Sequence, residues 1–156
     1  MYTNAVIDGV ISALSNRFGN EYKYYPENIE QDMKVPCFLI RCIRPKTTIY
    51  RDVYKLSEHS IVVQYIPKAE YEPRLEINDI ADALCPTLEF ITVKDGDNMT
   101  NVMATNIDTN ITDNILTFTC NYDFFVKEII QEDTIKSYSN DLNVKESEDE
   151  NEEKSW

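Results

Sequence analysis

Apolar residues recur at helical spacing at the start of the chain. Val6, Val10, Ala13, Leu14 and Phe18 fall on one side, and Ile7 and Ile11 widen the stripe. Positions three and four apart share a helix face, so this spacing predicts a helix over about 3–17. Thr3 or Asn4 caps its start and Gly19-Asn20 supplies the stop. A short strand is expected over 21–25, broken by Pro26, and the polar stretch 27–34 reads as a loop. Two runs follow, 37–43 and 59–66, that are apolar at odd and even positions alike. Strand side chains alternate between faces, so these runs predict strands buried on both sides. The intervening 44–58 is too long for a tight turn and predicts a protruding hairpin or a long functional loop. A second helix is expected after Pro73, with Leu75, Ile80, Ala81, Leu84 and Leu88 as its apolar stripe. Pro86 lacks an amide donor and is expected to kink or end that helix near Cys85.

The rest of the ordered chain reads as β. A short strand over 91–94 leads into an Asp95-Gly96-Asp97-Asn98 turn, and two longer strands pair around 110–114. The last has the clearest alternation: Leu116, Phe118, Cys120, Tyr122, Phe124 and Val126 take one face, and Thr117, Thr119, Asn121 and Asp123 the other. The order helix, strands, helix, strands predicts an α+β fold, a mostly antiparallel sheet with two helices on one face and a long hairpin. Two helices cover one face only, so the strands that are apolar on both sides suggest that a neighbouring subunit covers the other. The predicted domain spans 1–130. Ile129, Ile130 and Ile135 extend it as an arm, but 131–156 turns into a polar, acidic tail that buries too little apolar surface to offset ordering entropy and is expected to be disordered. Trp156 at its end is a candidate anchor or a solvated terminus.

Charge narrows the function classes. Twenty-eight acidic against 15 basic residues in 156 give a formal net charge of −13, a poor match for a phosphate backbone or an anionic membrane. No apolar stretch approaches membrane-spanning length, and Met1-Tyr2-Thr3-Asn4 does not begin a secretory signal. The sequons Asn98-Met99-Thr100 and Asn110-Ile111-Thr112 therefore carry no weight. Cys37, Cys42, Cys85 and Cys120 form no CxxC pair, and all four sit among apolar residues. Cys37 and Cys42 are an odd number of positions apart and should face opposite sides of their strand. The expectation is reduced core thiols.

Candidate chemistry is thin. His59 beside Glu58 is a conceivable general base, but a lone histidine at a strand start is more often a surface or core residue. No GxSxG, HExxH or P-loop is present, and three glycines cannot build a phosphate cradle. Asp95-Gly96-Asp97-Asn98 lacks the later ligands of a calcium loop. No catalytic residue, cofactor or metal site is expected. The most informative polar feature is the cluster Arg41, Arg44, Lys46, Arg51 and Lys55, interleaved with Ile49, Tyr50 and Tyr54. One reading is a solvated hairpin. A second is an interface where Arg and Tyr meet an acidic partner or an acidic copy of the same chain. Nucleic acid comes third: Arg and Tyr can stack on bases, but the acidic remainder would repel the strand.

Three stretches carry a family resemblance: Ala5-Val6-Ile7-Asp8-Gly9-Val10, Val35-Pro36-Cys37-Phe38-Leu39-Ile40, and Asp113-Asn114-Ile115-Leu116-Thr117-Phe118-Thr119-Cys120-Asn121-Tyr122-Asp123-Phe124-Phe125. Over roughly 1–130, with its element order, the chain resembles phage tail terminator, or tail completion, proteins. The acidic tail lies outside that pattern. The resemblance implies a non-enzymatic ring, typically of six copies, on the head-proximal end of a finished tail tube. Such a ring ends tube and sheath growth and joins the tube to the neck or collar, in a phage or a headless tail-like bacteriocin. Its implied partners are itself, the tail tube protein, and sheath and neck proteins. DNA would be passing cargo past an acidic channel, no membrane is involved, and assembly would take place in the bacterial cytoplasm. A head-closure or neck connector protein is the nearest rival, and an acidic mimic of DNA the rival from another class.

Overall fold

Val6, Gly9, Val10 and Leu14 are the buried side of the first helix, α1 (Tyr2–Phe18). The computed structural model describes residues 2–26 and 33–127. Within them the strands are β1 (Lys23–Tyr25), β2 (Cys37–Arg51), β3 (Tyr54–Ile66), β4 (Phe90–Asp95), β5 (Asn98–Thr112) and β6 (Ile115–Lys127), with α2 (Arg74–Leu88) between β3 and β4. They form one mixed sheet in the order β1-β2-β3-β6-β5-β4. Only β1 runs parallel to its neighbour. Both helices bury their stripes in one core with Phe38, Ile40, Ile61, Val63, Tyr65, Leu116, Phe118 and Tyr122 of the sheet. The architecture is α+β. Expectations for 27–32, for the arm at Ile129, Ile130 and Ile135, and for the acidic tail with Trp156 lie outside the described residues.

The turns follow local backbone chemistry. Between β5 and β6 only Asp113 and Asn114 intervene, both at positive φ (54° and 61°), the geometry of a two-residue hairpin that matches strand twist. Asp52 (φ 41°) turns β2 into β3. In β6 the predicted alternation holds: Leu116, Phe118, Cys120 and Tyr122 are buried on the helix side. Tyr122 also donates its hydroxyl to the Leu88 carbonyl at 2.6 Å, closing the last turn of α2. Glu76 in the first turn of α2 accepts from the Tyr65 hydroxyl and from the amides of Lys68 (2.7 Å) and Ala69 (3.1 Å), pinning the β3–α2 connection. Burial pulls its carboxyl pKa up, but these bonds outweigh burial and hold it below the usual carboxylate value.

Several expectations need correction. Of the two expectations for 44–58, the long loop falls away: β2 and β3 run on as extended strands, paired almost to the Asp52 turn. Pro86 does not end α2 near Cys85; the helix runs on to Leu88. A residue-86 amide would have served the carbonyl of Asp82, and Asp82 lies on the exposed side of the helix, open to solvent. Leu75 is 79% exposed, and Ile77 takes its place in the stripe. Cys85 is exposed on α2 and Cys42 only half-buried, so two of the four thiols, Cys37 and Cys120, are core residues. Burial pushes the Cys120 thiol up to about 11, which keeps it protonated.

The sheet face away from the helices also differs from a second apolar layer. Val62 is buried there between its cross-strand partners Arg41 and Thr119, but Arg41 itself is exposed and Ser60, Gln64 and Thr117 are half-buried polar neighbours. This face is mixed, not apolar.

Gly9 is where α1 touches the sheet most closely. A Cβ there would lie 2.6 Å from the Thr92 carbonyl oxygen of β4, backbone against backbone. Gly9→Ala is expected to cost about 1–3 kcal/mol of overpacking, although alanine alone favours a helix by about 1 kcal/mol. Urea unfolding of the variant measures the balance, with net destabilisation as the expected outcome.

Candidate assembly surface

The hairpin of β2 and β3 is the site that the basic and aromatic residues mark. Simple alternation would put Arg41 and Arg44 on opposite faces of β2. A bulge prevents this: Cys42 pairs with Ile61 but Arg44 with Ser60, leaving Ile43 as the extra residue, 58% exposed. One inserted residue flips everything after it. Arg41, Arg44 and Lys46, opposite Val62, Ser60 and Glu58, therefore share the face away from the helices.

A second irregularity between Ile49 and Arg51 frees Tyr50. Its ring meets Phe125 of β6 edge-on at 5.5 Å, and Lys127 lies over the Tyr54 ring at 5.9 Å. Tyr50 (69%), Tyr54 (43%) and Phe125 (61%) form an exposed apolar tip, and Ile49 (72%) is exposed on the opposite face. Lys55 pairs with Ile49 and Val126, the strand positions of the helix side. The eight predicted residues are thus split: Arg41, Arg44 and Lys46 share one face, Tyr50, Arg51 and Tyr54 cluster at the tip of that face, and Ile49 and Lys55 point the other way.

The patch is less basic than the sequence of β2 alone implies. β3 and β6 bring Glu58 and Asp123 beside it, and a concavity of about 180 Å³ is lined by Arg44, Lys46, Glu58, Ser60, Asn121 and Asp123. The Glu58 carboxylate accepts from Thr48 Oγ1 at 3.4 Å. Asp123 accepts from the His59 amide at 3.3 Å, and burial raises its carboxyl pKa. The surface can recognise a partner of mixed charge around an aromatic centre.

Phe125 and Lys127 were not singled out in the sequence, yet β6 pairs along the whole hairpin up to Tyr54↔Lys127 and makes them part of the tip. A signal existed. On the face of Thr117, Thr119, Asn121 and Asp123, Phe125 is the one apolar ring in an otherwise polar series.

His59 is not paired with Glu58 for catalysis, because neighbours in a strand point to opposite faces. It is 2% exposed, stacked on Phe124 at 5.4 Å, with Nδ1 3.2 Å from the Tyr122 carbonyl and Nε2 3.3 Å from Ser57 Oγ. The neutral ring satisfies both contacts by donating from Nδ1 and accepting at Nε2. Burial lowers its pKa, against smaller opposing effects of the Tyr122 carbonyl and Asp123. A depressed folded pKa adds stability above the unfolded value of about 6.5, and that contribution is lost as pH falls through the folded value. Thermal stability is therefore expected to drop as pH falls below about 6.5, and His59→Gln should flatten that dependence.

Among the described residues no His, Cys, Asp and Glu group could hold a metal ion, and no helix is long and apolar enough to cross a membrane. The family model described as "Phage tail terminator protein" matches residues 5–136. The chain belongs to the phage tail terminator family. Terminators are structural parts of phage tails, so this one is a tail component that works with other tail proteins. No curated protein matches the terminator. Among solved structures, a chain with no functional name covers 80% of the terminator and 97% of its own length, at 13% identity and a TM-score of 0.30. So loose a likeness carries no argument.

Proposed function

We propose that the terminator forms a ring, six copies in the family habit, on the head-proximal end of the tail tube. There it stops polymerisation of tube and sheath and offers the neck or collar its docking surface. The family match over 5–136 carries this reading. The exposed tip of Tyr50, Tyr54 and Phe125, flanked by Arg44, Lys46 and Arg51, supports it. Aromatic and arginine side chains dominate the energetics of protein interfaces, and a protruding hairpin reaches past its own fold to a neighbour or to the tube. Residues 1–130 are the folded assembling domain and 131–156 an acidic appendage, whose first residues, to 136, still lie within the family match. Assembly takes place in the bacterial cytoplasm before the part joins the tail, with DNA as passing cargo where there is a head.

Polymerising purified tube protein with and without the terminator tests the function. Electron micrographs should show shorter tubes carrying the terminator at one end. Tubes of unchanged length with bare ends would overturn the proposal.

A further inference from the structure

The sheet forks beyond Ala104. β5 pairs with β6 from Thr112↔Ile115 to Ala104↔Tyr122, and there the two strands part. Residues 98–103 of β5 continue with β4 alone, while β6 continues with β3 as far as Lys127. Between them is a cleft of about 320 Å³ whose walls include Tyr2, Met99, Thr100, Phe124, Phe125 and Lys127. Among the described residues no ladder joins 98–103 to 123–127, so two strand edges face each other across the cleft. Such edges present backbone N–H and C=O groups that an added strand satisfies. Apolar groups stand among polar ones in the walls: Tyr2 meets Phe124 edge-on at 5.9 Å, and Met99 is 66% exposed beside Asp95, Asn98 and Thr100.

β6 ends at the mouth of this cleft. Next in the chain is Glu128-Ile129-Ile130-Gln131-Glu132-Asp133-Thr134-Ile135-Lys136, with three isoleucines and strand-like composition. The family match runs through 136, so this stretch belongs to the shared pattern and the acidic run after it does not. Entering its own cleft would require a reversal directly after Lys127. Residues 128–131 contain no Gly, Pro, Asn or Asp, the residues on which tight turns depend. Without a reversal, this stretch would have to find its strand partner on another molecule.

We propose that residues 128–136 of one copy add as a strand in the β5–β6 fork of a second copy. Nine extended residues reach about 30 Å, more than the roughly 16 Å of five-residue edge at 123–127. Arm and fork are different surfaces, so the exchange runs head to tail, the kind of contact that closes a ring. The inference rests on the ring reading and names one of its contacts.

Two full-length variants test it by light scattering, alone and with tube fragments. Ile129→Asp/Ile130→Asp disables the arm, and Thr100→Trp fills the fork from an exposed position. Each variant alone is expected to stay monomeric. A mixture should give a one-to-one heterodimer and stop there, because the remaining arm and the remaining fork are both disabled. Both variants assembling like the unaltered chain would overturn the arm exchange and leave the ring intact. Loss of assembly in each with no heterodimer in the mixture would assign the arm to its own copy and also overturn it. An unaltered chain that stays monomeric even on tube ends would remove the ring reading itself.

Discussion

Tyr122→Ala is expected to lose about 4–8 kcal/mol, the largest single effect in the fold. The side chain is fully buried at the centre of the sheet, in the core that both helices share. Truncating a buried aromatic to alanine costs about 3–5 kcal/mol through lost transfer energy and a cavity. The Leu88 carbonyl would also lose its 2.6 Å partner at the end of α2, and an orphaned buried group adds about 1–3 kcal/mol. Domains of this size are stable by only about 5–15 kcal/mol, so the variant should unfold at much lower urea or fail to accumulate. Tyr122→Phe separates the two causes: it keeps the ring and loses only the hydrogen bond, with an expected cost of about 1–3 kcal/mol. A phenylalanine variant as unstable as the alanine one would refute this partition.

Arg44→Glu/Arg51→Glu should leave the fold intact and abolish assembly. Both residues are exposed, so the unfolding midpoint should move little. Reversal at Arg44 would put a third carboxylate beside Glu58 and Asp123, turning the concavity acidic. Truncation of an interface hot spot costs about 2 kcal/mol or more, and two charge reversals should weaken capping at least thirtyfold. Titration of tube ends with the double variant measures it. Capping at unchanged concentration would remove the hairpin face from the assembly surface.

The sequence carried the fold where one residue decides one thing. β6 alternates without interruption because a single face is buried, and α1 shows its stripe because Val6, Val10 and Leu14 meet a flat sheet. Legibility failed where neighbours decide. The bulge at Ile43 leaves no mark in β2 alone; it is a property of the register with β3, and it determines that Arg41, Arg44 and Lys46 share a face. Glu58 and Asp123 are remote in sequence from the basic run, so the mixed charge of the surface emerges only when β3 and β6 lie beside it. Leu75 fits the helical spacing but sits at the exposed start of α2, where Ile77 takes the buried position. Pro86 does not end α2, because the hydrogen bond it forgoes is on the exposed side of the helix.

The mass of the purified chain in solution, alone and mixed with tail tube, tests the central claim most directly. Light scattering should report about six times the 18.2 kDa protomer, either free or only when tube ends are present. A monomer at every concentration, indifferent to tube, would contradict it.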